Sequence, residues 1–181
     1  MPTTHTKLSL KELNRLSINE YQNEKKIPLI VVLDNIRSMS NIGSVFRTSD
    51  AFCVEAIHLC GITSRPPQRE IQKTALGATE SVKWKYFKNT MDSIKELKQN
   101  GYQIISIEQV KNSTMLTDYK AEKAKKIALV LGNEVKGVEQ EVIDKSDLCI
   151  EIPQYGTKHS LNVSISGGLV IWHIFQQIFE E

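Results

Sequence analysis

The run at residues 27–33, Ile-Pro-Leu-Ile-Val-Val-Leu, constrains this chain more than any other stretch. It is apolar at odd and even positions alike and rich in β-branched residues. A half-buried strand would alternate. A continuous run reads as a strand buried on both faces, as in a parallel sheet covered by helices on either side. Similar apolar runs return at residues 56–60, 102–107, 127–131 and 148–152. Helical stretches fit between and after them, at 44–52, 91–99, 138–145 and 161–179. This alternation predicts an α/β fold with a mostly parallel sheet flanked by helices.

In a parallel sheet the strand carboxyl ends share one side, where ligands gather. Three loops expected at such ends, 34–43, 132–137 and 153–160, hold most of the unusual polar residues. Their convergence predicts a single site. Gly132, Gly137 and Gly156 lie in these loops and would let backbone approach a small ligand. The last loop leads into a helix opened by Ser160, whose first turns carry Asn162, Ser164, Ser166, Gly167 and Gly168. So many poor helix formers predict close packing against a neighbour.

A length of 181 residues fits one domain, expected at 27–181, preceded by a polar segment at 1–26. In that segment Leu8, Leu10, Leu13, Leu16 and Ile18 suggest a short amphipathic helix from about Ser9, with Glu12 completing a capping box. A net charge of +2 permits nucleic acid as a partner without arguing for it. Three cysteines in apolar runs, without paired spacing, suit a reducing, cytoplasmic setting. No signal peptide is expected, and the C-terminal apolar run is too interrupted to span a membrane. No metal-ligand spacing, GxxxxGK[ST], GxGxxG or GxSxG occurs.

Three motifs carry a resemblance. Asn41-Ile-Gly-Ser-Val-Phe-Arg47-Thr-Ser-Asp50-Ala, Leu129-Val-Leu-Gly-Asn-Glu134-Val-Lys-Gly137-Val and Ile152-Pro-Gln-Tyr-Gly-Thr-Lys-His-Ser160-Leu-Asn162-Val-Ser resemble, in order, the motifs of the SpoU/TrmH family of RNA ribose 2′-O-methyltransferases, within the SPOUT superfamily. The resemblance covers about residues 28–178. Val135 stands where the family commonly has glycine, and Gln154 where it commonly has methionine.

The resemblance implies a SPOUT-type sheet with a C-terminal deep trefoil knot, a homodimer, and methyl transfer from S-adenosylmethionine to a ribose 2′-hydroxyl of tRNA or rRNA. It implies that Leu131, Gly132, Ile152, Pro153, Gly156 and Leu161 hold the cofactor, and that Asn41, Arg47, Glu134, Ser160 and Asn162 form the catalytic and positioning set. The family proposal makes the arginine matching Arg47 a general base. A guanidinium keeps its proton, so a phosphate clamp that orients the ribose is chemically easier.

Spacing alone offers plainer roles: Arg47 paired with Asp50 three residues on, Glu134 as a charge at a helix N-terminus, and Ser160 and Asn162 as helix caps. Arg65, Arg69 and Lys73 are candidate RNA contacts. The Trp84 segment reads first as an alternating strand with one buried face and second as a base platform. tRNA is favoured over rRNA as the substrate, because recognition would fall to the body, the N-terminal segment and the dimer. Two other readings stand beside this one, a non-catalytic SPOUT-fold RNA-binding protein and an α/β small-molecule enzyme.

Overall fold

The computed structural model describes residues 5–9 and 11–179. Seven strands form one sheet: β1 (Ile27–Asp34), β2 (Val54–Cys60), β3 (Trp84–Phe87), β4 (Tyr102–Ile107), β5 (Thr114–Met115), β6 (Lys126–Leu131) and β7 (Leu148–Glu151). Their order across the sheet is β3-β2-β1-β6-β4-β7-β5, and every pairing is parallel. Seven helices are described: α1 (Ile18–Asn23), α2 (Met39–Ala51), α3 (Arg69–Ala75), α4 (Ala78–Ser81), α5 (Thr90–Gln99), α6 (Gln140–Ile143) and α7 (Val163–Ile178).

The continuous apolar run of β1 divides between two cores. Leu29, Val31 and Leu33 pack on one face with Phe46 of α2 and Val170, Ile171 and Ile174 of α7. Ile30 and Val32 pack on the other with Ile94 and Leu97 of α5 and Val142 of α6. Period-two side-chain direction with apolar residues in both registers is what a doubly covered central strand requires. The chain steps from β1 outward to β2 and β3, then crosses to β4, and β6 later fills the gap between β1 and β4. The carboxyl ends of β1, β6, β4 and β7 are therefore neighbours on one rim.

Several local expectations shift. Among the described residues no helix forms from Ser9. Glu12 does accept from the Ser9 amide and hydroxyl, at 2.7 and 2.6 Å, but only a turn follows. Asn14 adopts φ +45°, which interrupts a right-handed helix. Leu8, Leu13, Leu16 and Ile18 stay exposed, and Leu10 lies outside the described residues. The box that seeds a helix is the next one, Ser17 with Glu20, where Tyr21 can enter the core beside β1.

α2 begins at Met39, earlier than residue 44, because Ser38 caps it. Gly43 is thus a helical residue. A Cβ there would sit 2.1 Å from Thr74 Oγ1 and 2.3 Å from the Ile71 carbonyl of α3. β3 does not alternate: Trp84 and Lys85 are exposed, Tyr86 is half-buried and Phe87 is buried. Of the three free cysteines only Cys60 is fully buried.

Candidate functional site

The expected convergence of loops is present. A cleft of about 530 Å³ lies over the carboxyl ends of β6, β4 and β7. Leu131, Gly132, Glu134, Ile152, Ser160, Leu161 and Asn162 from the expected set line it. Pro153 and Gly156 belong to the same loop but do not line the cleft. Asn41 is buried at its β1 end, and Arg47 is exposed further along α2.

A relay of hydrogen bonds joins the three motifs. The Glu134 carboxylate accepts from the Arg37 amide at 2.9 Å, the Ser38 amide at 3.0 Å and Asn41 Nδ2 at 3.0 Å. Asn41 Oδ1 accepts from Asn162 Nδ2 at 3.1 Å. Asn162 Oδ1 in turn accepts from the Ser164 amide at 2.9 Å, capping α7. Glu134 is indeed a charge at a helix N-terminus, but the helix is α2, whose leading amides of Arg37 and Ser38 lie 97 and 96 positions from Glu134. Burial pushes the Glu134 carboxyl upward, yet the Arg37 and Ser38 amides and the Asn41 side chain outweigh it and hold the group below the ordinary carboxylate range. A carboxylate so engaged positions its neighbours.

Of the two expected caps, only Asn162 caps α7. Ser160 lies in the preceding loop, exposed. Arg47 makes no ion pair with Asp50 among the described residues. Asp50 instead accepts from the Ser81 hydroxyl at 2.5 Å.

Two of the three loop glycines are held by geometry. A Cβ on Gly132 would lie 2.2 Å from both the Gly137 carbonyl carbon and the Val138 nitrogen. Paired 133/137 backbone bonds of 3.0 and 2.9 Å close the 132–137 loop, and the absence of a Cβ at 132 gives it room to do so. Gly137 has φ +72°. Nothing lies within 4 Å of a Cβ at Gly156, so neither packing nor backbone conformation asks for glycine there.

The close packing expected at the start of α7 is found at Gly167, where a Cβ would come 2.7 Å from Leu131 Cδ1. The loop at 154–161 has little internal bonding. Among the described residues its backbone is tied at the His159 carbonyl, which accepts from Gln109 Nε2 at 3.1 Å. Gln154, His159, Ser160 and Leu161 of this loop line the cleft.

Sequence reasoning missed three contributors. Asn133 ties two loops by donating to the Asn35 carbonyl at 2.7 Å. Its Oδ1 accepts from the amides of Val135 and Lys136. Buried Asp34 accepts from Thr90 Oγ1 at 2.5 Å and the Glu139 amide at 3.0 Å. Asp34 closes the apolar run of β1 and Asn133 lies two residues past the end of β6, which is the signal that could have singled them out. Ile107, Glu108 and Gln109, at the end of β4, form a fourth wall of the cleft.

Of the candidate RNA contacts, Arg65 lies over the Tyr86 ring at 4.5 Å and Lys73 pairs with Glu70 at 2.7 Å. Arg69 is exposed. Thr74, beside Lys73, donates to the Ser40 carbonyl at 3.0 Å, so α3 adjoins the start of α2 and hence the site.

Fold and cleft together define a parallel α/β protein with a strand-end ligand site. Residues 28–172 match the SpoU rRNA Methylase family, and the chain belongs to that family. It is 34% identical over 158 residues to an uncharacterized tRNA/rRNA methyltransferase of Borreliella burgdorferi, covering 86% of this chain and 67% of that one. It is 33% identical over 151 residues to the mouse tRNA (guanosine(18)-2′-O)-methyltransferase, covering 82% of this chain and 9% of that much longer protein. The AdoMet-bound rRNA methyltransferase from Sinorhizobium meliloti superposes with a TM-score of 0.80 at 25% identity, over 88% of this chain and 61% of that one. Against the Staphylococcus aureus TrmH-family relatives the chain spans 62% of their length.

Proposed function

We propose that the protein transfers a methyl group from S-adenosylmethionine to a ribose 2′-hydroxyl of RNA. The observation that carries this reading is the Glu134–Asn41–Asn162 relay at one end of a glycine-closed cleft, built from the three motifs of its family. The residues present suit an adenosyl group. Leu131, Ile150, Ile152 and Leu161 supply apolar wall, Gln154, His159 and Ser160 supply polar groups, and the volume falls in the range of small-molecule sites. Gly132 lets the loop beneath them close, and Pro153 and Gly156 belong to the loop beside the cleft.

When bound, the cofactor supplies a methyl already activated on a sulfonium. The chain's own task is to orient the 2′-hydroxyl and assist loss of its proton. Asn41 and Asn162, locked by Glu134 and by the cap on α7, hold the cleft end in one arrangement. Ser160, exposed at the cleft wall, is free to bond the incoming ribose. Arg47, with no ion-pair partner among the described residues, is free to clamp a phosphate beside the target ribose, with the phosphate or a water taking the proton. The basic rim of Arg65, Arg69 and Lys73, adjoining α2, extends the phosphate track. tRNA, the substrate in the name of the mouse relative, is the substrate class we favour. The free cysteines, with Cys53 and Cys149 partly exposed, favour a cytoplasmic setting.

The chain acts as a homodimer with 27–181 as its catalytic domain and 1–26 as an accessory segment. Ile165, Leu169 and Trp172 form an exposed apolar stripe on α7, with Phe179 exposed beyond the helix end. A second copy is its natural cover. We further infer a deep trefoil knot. The connection from β4 to β6 lies across α7, with the Tyr119 carbonyl 3.0 Å from His173 Nε2 and the Ala121 amide 2.9 Å from Gln177 Oε1. Passage of α7 through that connection accounts for these contacts.

Radiolabelled S-adenosylmethionine, offered with bulk tRNA or with rRNA, tests the reading. Label mapping to a ribose in the tRNA pool, and lost in Arg47→Ala, is the expected result. Cofactor binding without transfer to either pool would favour the non-catalytic RNA-binding reading, and absence of cofactor binding would end the proposal.

A further inference from the structure

The cleft wall contributed by β4 lies outside the three motifs, and it carries a carboxylate of unusual setting. Three glutamates line the cleft: Glu108, Glu134 and Glu151. Glu134 is occupied by three donors. Glu151, within β7, accepts from the Ser113 hydroxyl at 2.8 Å, on the side of the short edge strand β5. Glu108 differs. Its Oε1 accepts from the Gln109 amide at 2.9 Å and its Oε2 from the Val138 amide at 2.9 Å, one backbone donor to each oxygen.

A carboxylate offers about four lone-pair sites, so each oxygen keeps one on a head group whose direction two amides have set. Gly137 reinforces the arrangement. Its φ is +72°, and a Cβ there would come within 2.2 Å of Glu108 Oε2. The backbone at 137 favours glycine, and a side chain there would displace the Glu108 carboxylate from this position. Two fixed oxygens, each with a spare lone pair, match a vicinal diol in which each hydroxyl donates one hydrogen bond. Such bonds to a charged acceptor are stronger than bonds between neutral groups.

Strand order gives a second argument. β4 lies between β6, whose following loop carries Glu134, and β7, whose end supplies the apolar Ile150 and Ile152. Glu108 therefore stands between the polar and the apolar parts of the cleft. An adenosyl group has the same sequence of chemistry, with its ribose diol between a flat apolar base and a charged tail.

We propose that Glu108 accepts hydrogen bonds from the ribose 2′- and 3′-hydroxyls of the adenosyl cofactor and so selects a ribonucleoside. This rests on the methyltransferase reading above. The test is calorimetric binding of S-adenosylhomocysteine and of its 2′-deoxy analogue to the wild-type chain, Glu108→Ala and Glu108→Gln.

Wild type should prefer the ribose form by about tenfold or more, as the loss of one bond to a charged group implies. Glu108→Ala should lose about tenfold or more for S-adenosylhomocysteine and discriminate between the two ligands by less than about threefold, on the same reasoning. Glu108→Gln, which keeps the shape and one acceptor oxygen, should fall between. Equal weakening of both ligands in the variants would mean that Glu108 only props the 132–138 loop, and the proposal would fall. Wild type that binds both ligands equally would overturn it as well. Wild type that binds neither would remove the methyltransferase reading and this proposal with it, an outcome distinct from the other two.

Discussion

Asn41 Oδ1 accepts a hydrogen bond from Asn162 Nδ2 at 3.1 Å, across 121 positions of sequence. Each amide is used at both ends, since Asn41 Nδ2 goes to Glu134 and Asn162 Oδ1 to the Ser164 amide. The start of α2 and the start of α7 are therefore one hydrogen-bonded unit. Asn41→Asp should be worse than Asn41→Ala. Aspartate would bring a second carboxylate against Glu134 and remove a donor, and repulsion adds to the lost bond. We expect a loss of about 1–3 kcal/mol for the aspartate variant at pH 7, read from urea unfolding, with a smaller loss for alanine. An aspartate variant as stable as wild type would show that the relay contributes nothing to stability.

Arg47→Ala should separate chemistry from folding. The side chain is exposed and makes no ion pair or hydrogen bond among the described residues, so the melting temperature should not move. Transfer to RNA should fall by about 100-fold or more, the usual cost of removing one preorganised charged donor. Affinity for S-adenosylhomocysteine should be unchanged, because Arg47 does not line the cleft. Weakened cofactor binding would instead mark Arg47 as part of the cofactor site.

Glu134 gives a pH signature. Its folded pKa lies below the ordinary carboxylate range because three donors outweigh burial. The stability it contributes is therefore present above the unfolded-state pKa and is lost as pH falls through the folded value. The melting temperature of wild type should exceed that of Glu134→Gln most at neutral pH. The gap should close in acid, below the usual carboxylate range. A gap that is constant from neutral pH down to pH 3 would exclude the charge as its origin.

Five of the seven strands were legible because burial writes an apolar run, and the three loops because each follows such a run; the two-residue edge strand β5 carries no such run and escaped. What escaped depended on distant partners. Gly43 reads as a loop residue, yet it is glycine because Thr74 and Ile71 of α3 occupy the space of its Cβ. Two capping boxes, Ser9 with Glu12 and Ser17 with Glu20, are locally alike. The second makes the helix because Tyr21 finds a core, and only the fold supplies that core. Glu108 carries no local mark, since its second partner, Val138, lies 30 positions away.

The glycines allow a contrast. Gly132→Ala would force apart the 132–137 loop, with backbone atoms at 2.2 Å that cannot rotate away. It should destabilise by about 1–3 kcal/mol, as overpacking does, and abolish cofactor binding. Gly156→Ala should leave stability within about 0.5 kcal/mol, as surface changes do, because its Cβ meets nothing. Paired unfolding curves and cofactor titrations check both. A damaging Gly156→Ala with unchanged stability would show that the bound ligand, and not the fold, requires glycine there.

The α7 stripe bears on assembly. Ile165, Leu169 and Trp172 recur at helical spacing on the outward side, while Val170, Ile171 and Ile174 face the core. Trp172 is also the outer edge of an aromatic cluster, 5.3 Å from the Phe52 ring and 5.8 Å from that of Phe175. A helix apolar on both sides leaves its outward side exposed until another surface covers it. Leu169→Glu alters only the outward side, so the monomer should fold with near wild-type ellipticity. If the stripe joins two copies, light scattering should report half the wild-type mass, because a buried unpaired carboxylate is costly at an apolar interface. Since α7 packs on α2, which carries Arg47, transfer activity should fall with the dimer population. An unchanged mass at micromolar concentration would show that the stripe does not join two copies.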